Sequence, residues 1–212
     1  MLAHSHLELG GFIKSSKDFA HPNIQIHFFP SLVINHGLIN PDKHAFQFHA
    51  SPNRPTSRGW VKLKSKNPND PPLIQFNYLE TENDKNQMRE CVKISRNIFK
   101  QNALKDFIGK ELLPGKDVVK DDDLDEVIRN TSETAYHPSC TNKMGIDKMS
   151  VVDSTTKVHG ISKLRIVDSS IMPDIVSGNL NASTIMIAEK ASDLILGNKE
   201  AEPEDLDFFQ AA

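Results

Sequence analysis

The residues best suited to chemistry sit late in the chain. Ala135-Tyr136-His137-Pro138-Ser139-Cys140-Thr141-Asn142-Lys143-Met144-Gly145 carries an imidazole followed at once by a proline. Proline confines the residue before it to extended backbone, which holds the His137 ring still within a loop. An imidazole, with an ordinary pKa near neutral, can take a proton from a hydroxyl. A second segment runs through Asp168-Ser169-Ser170-Ile171-Met172-Pro173 and on to Ser177-Gly178-Asn179-Leu180-Asn181-Ala182-Ser183-Thr184. It reads as a strand ending in an acid, a glycine-bearing turn and a helix start. The free amides of a helix start make a seat for a phosphate or an electron-rich ring.

Other chemistries find less support. His4-Ser5-His6-Leu7-Glu8 places two imidazoles on one strand face with a carboxylate beyond, as a metal strand would. The acid of such a strand is expected four or five residues after the second His, where Gly10 and Gly11 stand, so no metal site is assigned. No G-x-S-x-G occurs and neither Cys91 nor Cys140 has the setting of a nucleophile, which disfavours acyl transfer. No G-x-G-x-x-G or Walker loop occurs either, so these 212 residues have no phosphate cradle of their own. Asp121-Asp122-Asp123 reads as a helix cap and solvated face for Leu124–Arg129 rather than as a cation site.

The elements that must position these groups follow from periodicity. Period-two alternation predicts strands at Phe12-Ile13, at Ile24–Phe29, at Ala45–Ala50, and at Trp60–Lys64 with Val61 and Leu63 inward. Turns rich in Pro and Asn separate them, at Asn40-Pro41-Asp42, at Ser51-Pro52-Asn53 and across Asn67–Pro72, which points to a largely antiparallel sheet. Steps of three and four predict a helix over Glu82–Gln101 carrying Met88, Cys91, Val92, Ser95, Ile98 and Phe99. Leu164–Val167 reads as a strand. Asn181–Leu196 reads as a helix with Ile185, Ala188, Leu194 and Ile195 on its apolar face, closed by Gly197.

Composition sets outer bounds. The 212 residues are 38% hydrophobic and 25% charged, ordinary for a chain that buries a core. Twenty-five basic residues against 28 acidic ones give a net charge of -3, without the basic excess of a nucleic-acid partner. Two cysteines cannot build a disulfide framework. No apolar run reaches the roughly 18 residues of a spanning helix, and the first twenty residues lack the order of a signal peptide.

Taken together, several segments are recognisable: His137-Pro138 through Met144-Gly145, Val151-Val152-Asp153, Val158-His159-Gly160, Leu164–Asp168, and Ser177-Gly178-Asn179-Leu180-Asn181-Ala182 through Lys190. In order and spacing they resemble the C-terminal region of glucose–methanol–choline flavin oxidoreductases. His6–Ile13, Pro22–Phe28, Arg58–Leu63 and Gly109–Leu112 resemble the choline-oxidising branch of that family, so that the likeness covers residues 4 to 197. One departure is Ser183, where relatives often carry proline. The larger one is the absent glycine-rich nucleotide loop, which marks the chain as the C-terminal part of such an enzyme.

The resemblance implies an α+β fold. An antiparallel sheet with packed helices would form part of the substrate-binding domain over residues 1–133. Residues 134–197 would contribute the catalytic loop and the strand–helix segment that completes a Rossmann-like FAD domain, whose main part is missing, and 198–212 an acidic tail. The implied activity is oxidation of a primary alcohol, choline first, to its aldehyde on the route to glycine betaine. FAD would accept the hydride, His137 would hold or take the hydroxyl proton, and Asn181 would bond the same oxygen. Asp168, Ser169, Asn181 and Ala182 would line the flavin. Glu8 would face the quaternary ammonium, with aromatic faces beside it. Partners would be the alcohol, the missing FAD-binding domain and an electron acceptor, with no nucleic acid. The place would be the cytoplasm or a membrane periphery in a bacterium, or the mitochondrial inner membrane in a eukaryote. Two alternatives stay open: another primary alcohol as substrate, or a non-catalytic module that cannot hold FAD alone. Without the missing domain, the apolar faces of Leu164–Val167 and of the last helix should be exposed and the His137 loop poorly ordered.

Overall fold

The computed structural model describes residues 7, 9–34, 37–39, 43–199, 201, 202 and 204. His4, His6, Glu8, the turn at Asn40-Pro41-Asp42 and most of the acidic tail lie outside the described residues. The chain divides into two compact units. One spans Met1–Tyr136 with Val176–Gly178, the other His137–Ile175 with Asn179–Ala212. Among the described residues no helix is long and apolar enough to cross a membrane.

In the first unit, alternation builds an antiparallel sheet of three strands, β1 (Leu9–Ile13), β2 (Ile24–Phe29) and β3 (Gln47–Pro52), in that spatial order. Gly11 faces Ile26 across one ladder, and Phe28 faces Phe48 across the other. Helix α1 (Glu82–Phe99) covers one face. Ile24, Ile26 and Cys91 are buried at the contact, ringed by Ile13, Phe48, Ala50, Met88, Ile94 and Ile98. Burying each isoleucine side chain is worth about 1.5–3 kcal/mol. Burial also pushes the Cys91 thiol up to about 12, which leaves it a packing residue.

Polar hubs fix how α1 meets the sheet. Thr81 caps α1 by accepting from the Asp84 backbone N–H. The buried Asp84 carboxylate in turn accepts from Thr56 N–H at 2.7 Å, Thr56 Oγ at 2.9 Å and Ser57 N–H at 2.8 Å. These donors hold it far below the usual carboxylate range, against the burial that opposes its charge. Asn23, just before β2, accepts from Ser15 N–H and donates to Gln87 Oε1 of α1. At the far end of α1, Arg96 forks onto Glu111 and donates to the carbonyls of Gly115 and Val118.

Several expectations are corrected. The third strand runs Gln47–Pro52, not Ala45–Ala50. Strand β4 (Trp60–Lys62) pairs with β5 (Leu73–Gln75), a strand that the Pro-rich sequence around it conceals. This hairpin gains no covering layer among the described residues of its unit, so Val61 and Leu63 are 49% and 86% exposed rather than inward. Helix α2 (Asp121–Thr131) has Lys120 at its N-cap and no side-chain cap. Its three aspartates instead fill the first turn, where the helix dipole favours them, and Asp125 pairs with Arg89 of α1.

The second unit is knit from short bridged segments around Val152, which is fully buried between Met144 and Val158. Leu164–Val167 is not a strand. Asp153 closes a tight turn by accepting from Thr155 and Lys157 N–H, and only Arg165 comes into register beyond it, bridging Lys157. Helix α3 (Asn181–Leu196) ends at Gly197, left-handed at φ 70°, as its sequence predicts. Its inward stripe is Thr184, Ile187, Ala191 and Leu194, while Ile185, Ala188 and Ile195 face outward. Apolar residues surround this helix on several sides, so periodicity alone does not choose the buried one. Leu164, Ile185 and Ile195 are exposed, in line with the expectation of uncovered apolar faces.

Asp84→Asn should cost about 1–3 kcal/mol in denaturant unfolding, because an amide NH₂ would replace one of two buried acceptor oxygens. The wild-type carboxylate's contribution should be fully present above a pH of about 4 and lost as pH falls below it, since its folded pKa is depressed. Unfolding that is equally acid-sensitive in wild type and variant would contradict this.

Candidate active site

The loop that carries His137 has no regular structure, so its backbone groups need partners elsewhere. Three of its amides find them in one run. Cys140 N–H donates to Ser169 O at 3.3 Å, Asn142 N–H to Ser170 O at 2.9 Å, and Met144 N–H to Ile171 O at 2.8 Å. Ser169 Oγ adds a bond to Pro138 O at 3.2 Å, and Asn142 Nδ2 one to Ser170 Oγ at 3.0 Å. The receiving residues Ser169–Ile171 form a single 3-10 turn, capped by Asp168, whose Oδ1 accepts from Ser170 N–H at 2.7 Å. The loop is thus tied down more firmly than its irregular sequence leads one to expect.

The loop's far end is closed by chemistry of its own. Asp147 accepts from Lys143 Nζ, Met149 N–H and Ser150 Oγ, which together bring its pKa to about 2. Gly145 sits at φ 155° with the Ser150 hydroxyl 2.5 Å from where a Cβ would stand. Its carbonyl meets the His159 ring at 3.0 Å.

His137 is half-buried and contacts Asn179, whose Nδ2 lies 3.3 Å from His137 Nε2. Asn179 stands two residues before the first residue of α3, so Asn181 Cα lies within about 7 Å of Asn179 Cα by chain geometry alone. The helix start and the imidazole loop therefore belong to one neighbourhood, although 42 residues separate the two bonded side chains. Asn181 and Ala182 occupy the exposed opening of α3. Leu180, at its N-cap, is helical in backbone and caps nothing with its side chain, and the first helical bond runs from Thr184 N–H to Leu180 O. The amides of Asn181, Ala182 and Ser183 thus precede any intrahelical partner. Glu8 lies outside the described residues.

Asn179 is the site residue to which the sequence attaches no role. The signal was present as a second carboxamide immediately after Gly178, whose φ of 87° marks a turn that glycine adopts at least cost. No group of three or more His, Cys, Asp or Glu among the described residues is arranged to hold a metal ion. Open clefts in the first unit, of about 550 Å³ beside Phe76 and Tyr78 and about 470 Å³ beside Phe12 and Arg54, contain none of the candidate residues.

Fold and loop together define a class. Residues 55–188 match the family model described as GMC oxidoreductase, and the chain belongs to that family. It is 52% identical over 210 residues to the mitochondrial choline dehydrogenase of Homo sapiens, covering 98% of this chain and 35% of that protein. It is 48% identical over 209 residues to the oxygen-dependent choline dehydrogenase of Pseudomonas fluorescens, covering 99% of this chain and 37% of that protein. Among solved structures it resembles pyridoxine 4-oxidase from Mesorbium loti, with a TM-score of 0.83 and 26% identity over 92% of this chain and 39% of the other. It also resembles formate oxidase of Aspergillus oryzae RIB40, with a TM-score of 0.75 and 28% identity over 84% of this chain and 32% of the other. The chain spans little more than a third of the length of the curated relatives it matches.

Gly145→Ala should destabilise the second unit by about 1–3 kcal/mol, the cost of holding a side chain in glycine's region of backbone space. Hydrogen exchange should show faster loss of protection at Val151 and Met144, with β2 in the first unit unchanged. Unaltered exchange at both loop amides would show that the close approach to Ser150 is not a constraint.

Proposed function

We propose that these residues form the substrate-side and catalytic portion of an FAD-dependent enzyme that oxidises choline to betaine aldehyde. The observation that carries this reading is the meeting of the His137 loop with the residues opening α3, within a chain about half identical to choline dehydrogenases along nearly its whole length. FAD, when bound, supplies a hydride acceptor for the carbinol carbon. The opening of α3 fits such a group, because it offers backbone N–H donors without a capping side chain to an electron-rich ring. Ser169, Asn181 and Ala182 would lie along it, with Asp168 holding the adjoining turn through its bond to Ser170.

The chain's own residues then divide the work. His137 takes the hydroxyl proton on a ring nitrogen. Asn181 donates a hydrogen bond to the same oxygen as negative charge gathers there. Glu8 supplies the charge that a quaternary ammonium, lacking donors of its own, can answer. Residues 1–133 would serve the substrate and 134–197 the flavin, with the pyrophosphate gripped by a partner segment carrying the glycine-rich loop. A second reading keeps the family and changes the alcohol, favoured by the structural likeness to a pyridoxine oxidase.

A chimera tests both. The matching 210 residues of the human enzyme are replaced by this chain. The chimera should bind flavin and turn over choline well above alcohols without a quaternary nitrogen. Equal turnover of simple alcohols would reject choline in favour of the second reading. His137→Gln in that chimera should lower kcat/KM by roughly 10²–10⁴-fold, the usual worth of a general base, with flavin content unchanged. The 212 residues alone should retain no FAD after mixing and gel filtration. Stoichiometric retention would refute the dependence on a partner segment.

A further inference from the structure

Three residues from late in the chain belong to the first unit: Val176, Ser177 and Gly178. The chain enters that unit after Ile175 and leaves it at Asn179, just before the opening of α3. Two contacts hold this excursion. Arg54 Nε donates to Ser177 Oγ at 2.8 Å, although 123 positions separate them in sequence. Gly178 turns at φ 87°, and a Cβ added to it would stand 3.4 Å from two ring carbons of Phe12, so the turn rests on that ring. We infer that Arg54 is a positioning residue for the oxidation: by holding Ser177 it fixes the turn from which Asn181 and the first amides of α3 set out. The inference rests on the reading of that opening as the part of the site that meets alcohol and flavin.

Both ends of the link are built on firm ground. Arg54 stands two residues past β3, next to the buried Asn53. Asn53 N–H donates to Asn23 O at 2.8 Å, and its Nδ2 to Pro22 O at 3.1 Å. Asn23 is itself bonded to Ser15 and to Gln87 of α1, so the backbone that carries Arg54 is tied into the core. Phe12 neighbours Ile13, which packs toward α1, and alternation along β1 therefore puts the Phe12 ring on the opposite sheet face. The turn meets the sheet on the face turned away from α1. There Arg54, Ser177 and Phe12 line the open cleft of about 470 Å³. The direction of the bond is not in doubt, because guanidinium Nε carries one hydrogen set in the plane of the group and only donates.

Chain geometry gives the link its reach into the chemistry. Three peptides separate Gly178 from Asn181, so their Cα atoms lie within about 11 Å of one another. Asn181 serves the alcohol oxygen in the proposed reaction, and the first unit serves the rest of the substrate. An alcohol held at its far end by the first unit reaches the reacting geometry only if the hydroxyl end is held at a set place. With the turn freed from Arg54, the far end stays bound while the groups around the oxygen lose their place. A shift of about 1 Å at the reacting atoms costs roughly 10²-fold in rate. Such a loss falls on kcat rather than on KM, because ground-state binding is spared.

The 212-residue chain tests the contact, and the chimera tests its purpose. In the ¹⁵N-labelled chain at neutral pH, the Arg54 Nε–H signal is assigned by its loss in Arg54→Lys. It should move in Ser177→Ala and hold its place in Ser177→Thr, which keeps the hydroxyl. Ile24 and Ile26 amide shifts report that the first unit remains folded. An Nε–H signal indifferent to Ser177→Ala overturns the proposal. In the chimera, Arg54→Ala and Ser177→Ala cut one bond from its two ends. Each should lower kcat by roughly tenfold or more with KM and flavin content little changed, and the double variant should lose no more than either single one. Ser177→Thr should keep most of the wild-type kcat. An unchanged kcat in either alanine variant, losses that multiply in the double variant, or a rise in KM alone overturns the proposal. The same fall is expected with whichever alcohol the chimera oxidises. Equal turnover of alcohols without a quaternary nitrogen therefore rejects choline and leaves the link standing, whereas a chimera that oxidises no alcohol sinks both.

Discussion

The second unit depends on three peptide bonds finding partners across a gap of nearly thirty residues. The amides of Cys140, Asn142 and Met144 donate in sequence to the carbonyls of Ser169, Ser170 and Ile171. Neither segment is a strand, and each would otherwise present unpaired backbone groups, which proteins seldom tolerate away from water. The ladder does locally what a sheet does over longer distances, setting register between two segments with no periodic pattern. Because one rail begins at the imidazole loop and the other runs on toward α3, His137 and the helix start are brought together by backbone geometry rather than by side-chain attraction.

The first unit solves a different problem with a different material. Its sheet and α1 meet through hydrocarbon, but the hydrocarbon contact is framed by buried polar groups that accept no alternative arrangement. Asp84 gathers the Thr56–Ser57 corner, Thr81 caps the same helix turn, and Asn23 links the β1–β2 connection to Gln87. Hydrophobic contact alone would let a helix slide along a sheet. Directional bonds at its first turns remove that freedom.

Much of this was legible in the residues. The β2 strand, the α1 and α3 helices and the glycine that ends α3 follow from local rules, because each is decided by neighbours within a turn or two. The segment Leu164–Val167 has a strand's composition but pairs over a single bridge, Arg165 with Lys157, flanked by Val158 N–H to Leu164 O and Ile166 N–H to Thr156 O. Composition reports propensity, whereas pairing is settled by what the rest of the chain offers. The hairpin from Trp60 to Gln75 shows the same gap: alternation gives Val61 an inward face only if another layer exists to receive it. At the site, His137 stands out through its proline and Asn181 through its helix start. Asn179 escapes notice because its significance lies in a turn angle at Gly178, and dihedral angles are written in sequence only as a permission that glycine grants.

Arg96 closes the last turn of α1 by meeting one carboxylate and two carbonyl oxygens at once, drawing Glu111, Gly115 and Val118 onto a single planar group. Such an array is a matter of shape as much as of charge. A lysine there would keep the positive sign but present a point where the guanidinium presents a fork, and it could not span the same acceptors in their fixed plane. The stretch between α1 and α2, poor in regular structure, therefore takes its course from one side chain's flatness, and a charge-conserving exchange at this position is no conservative change.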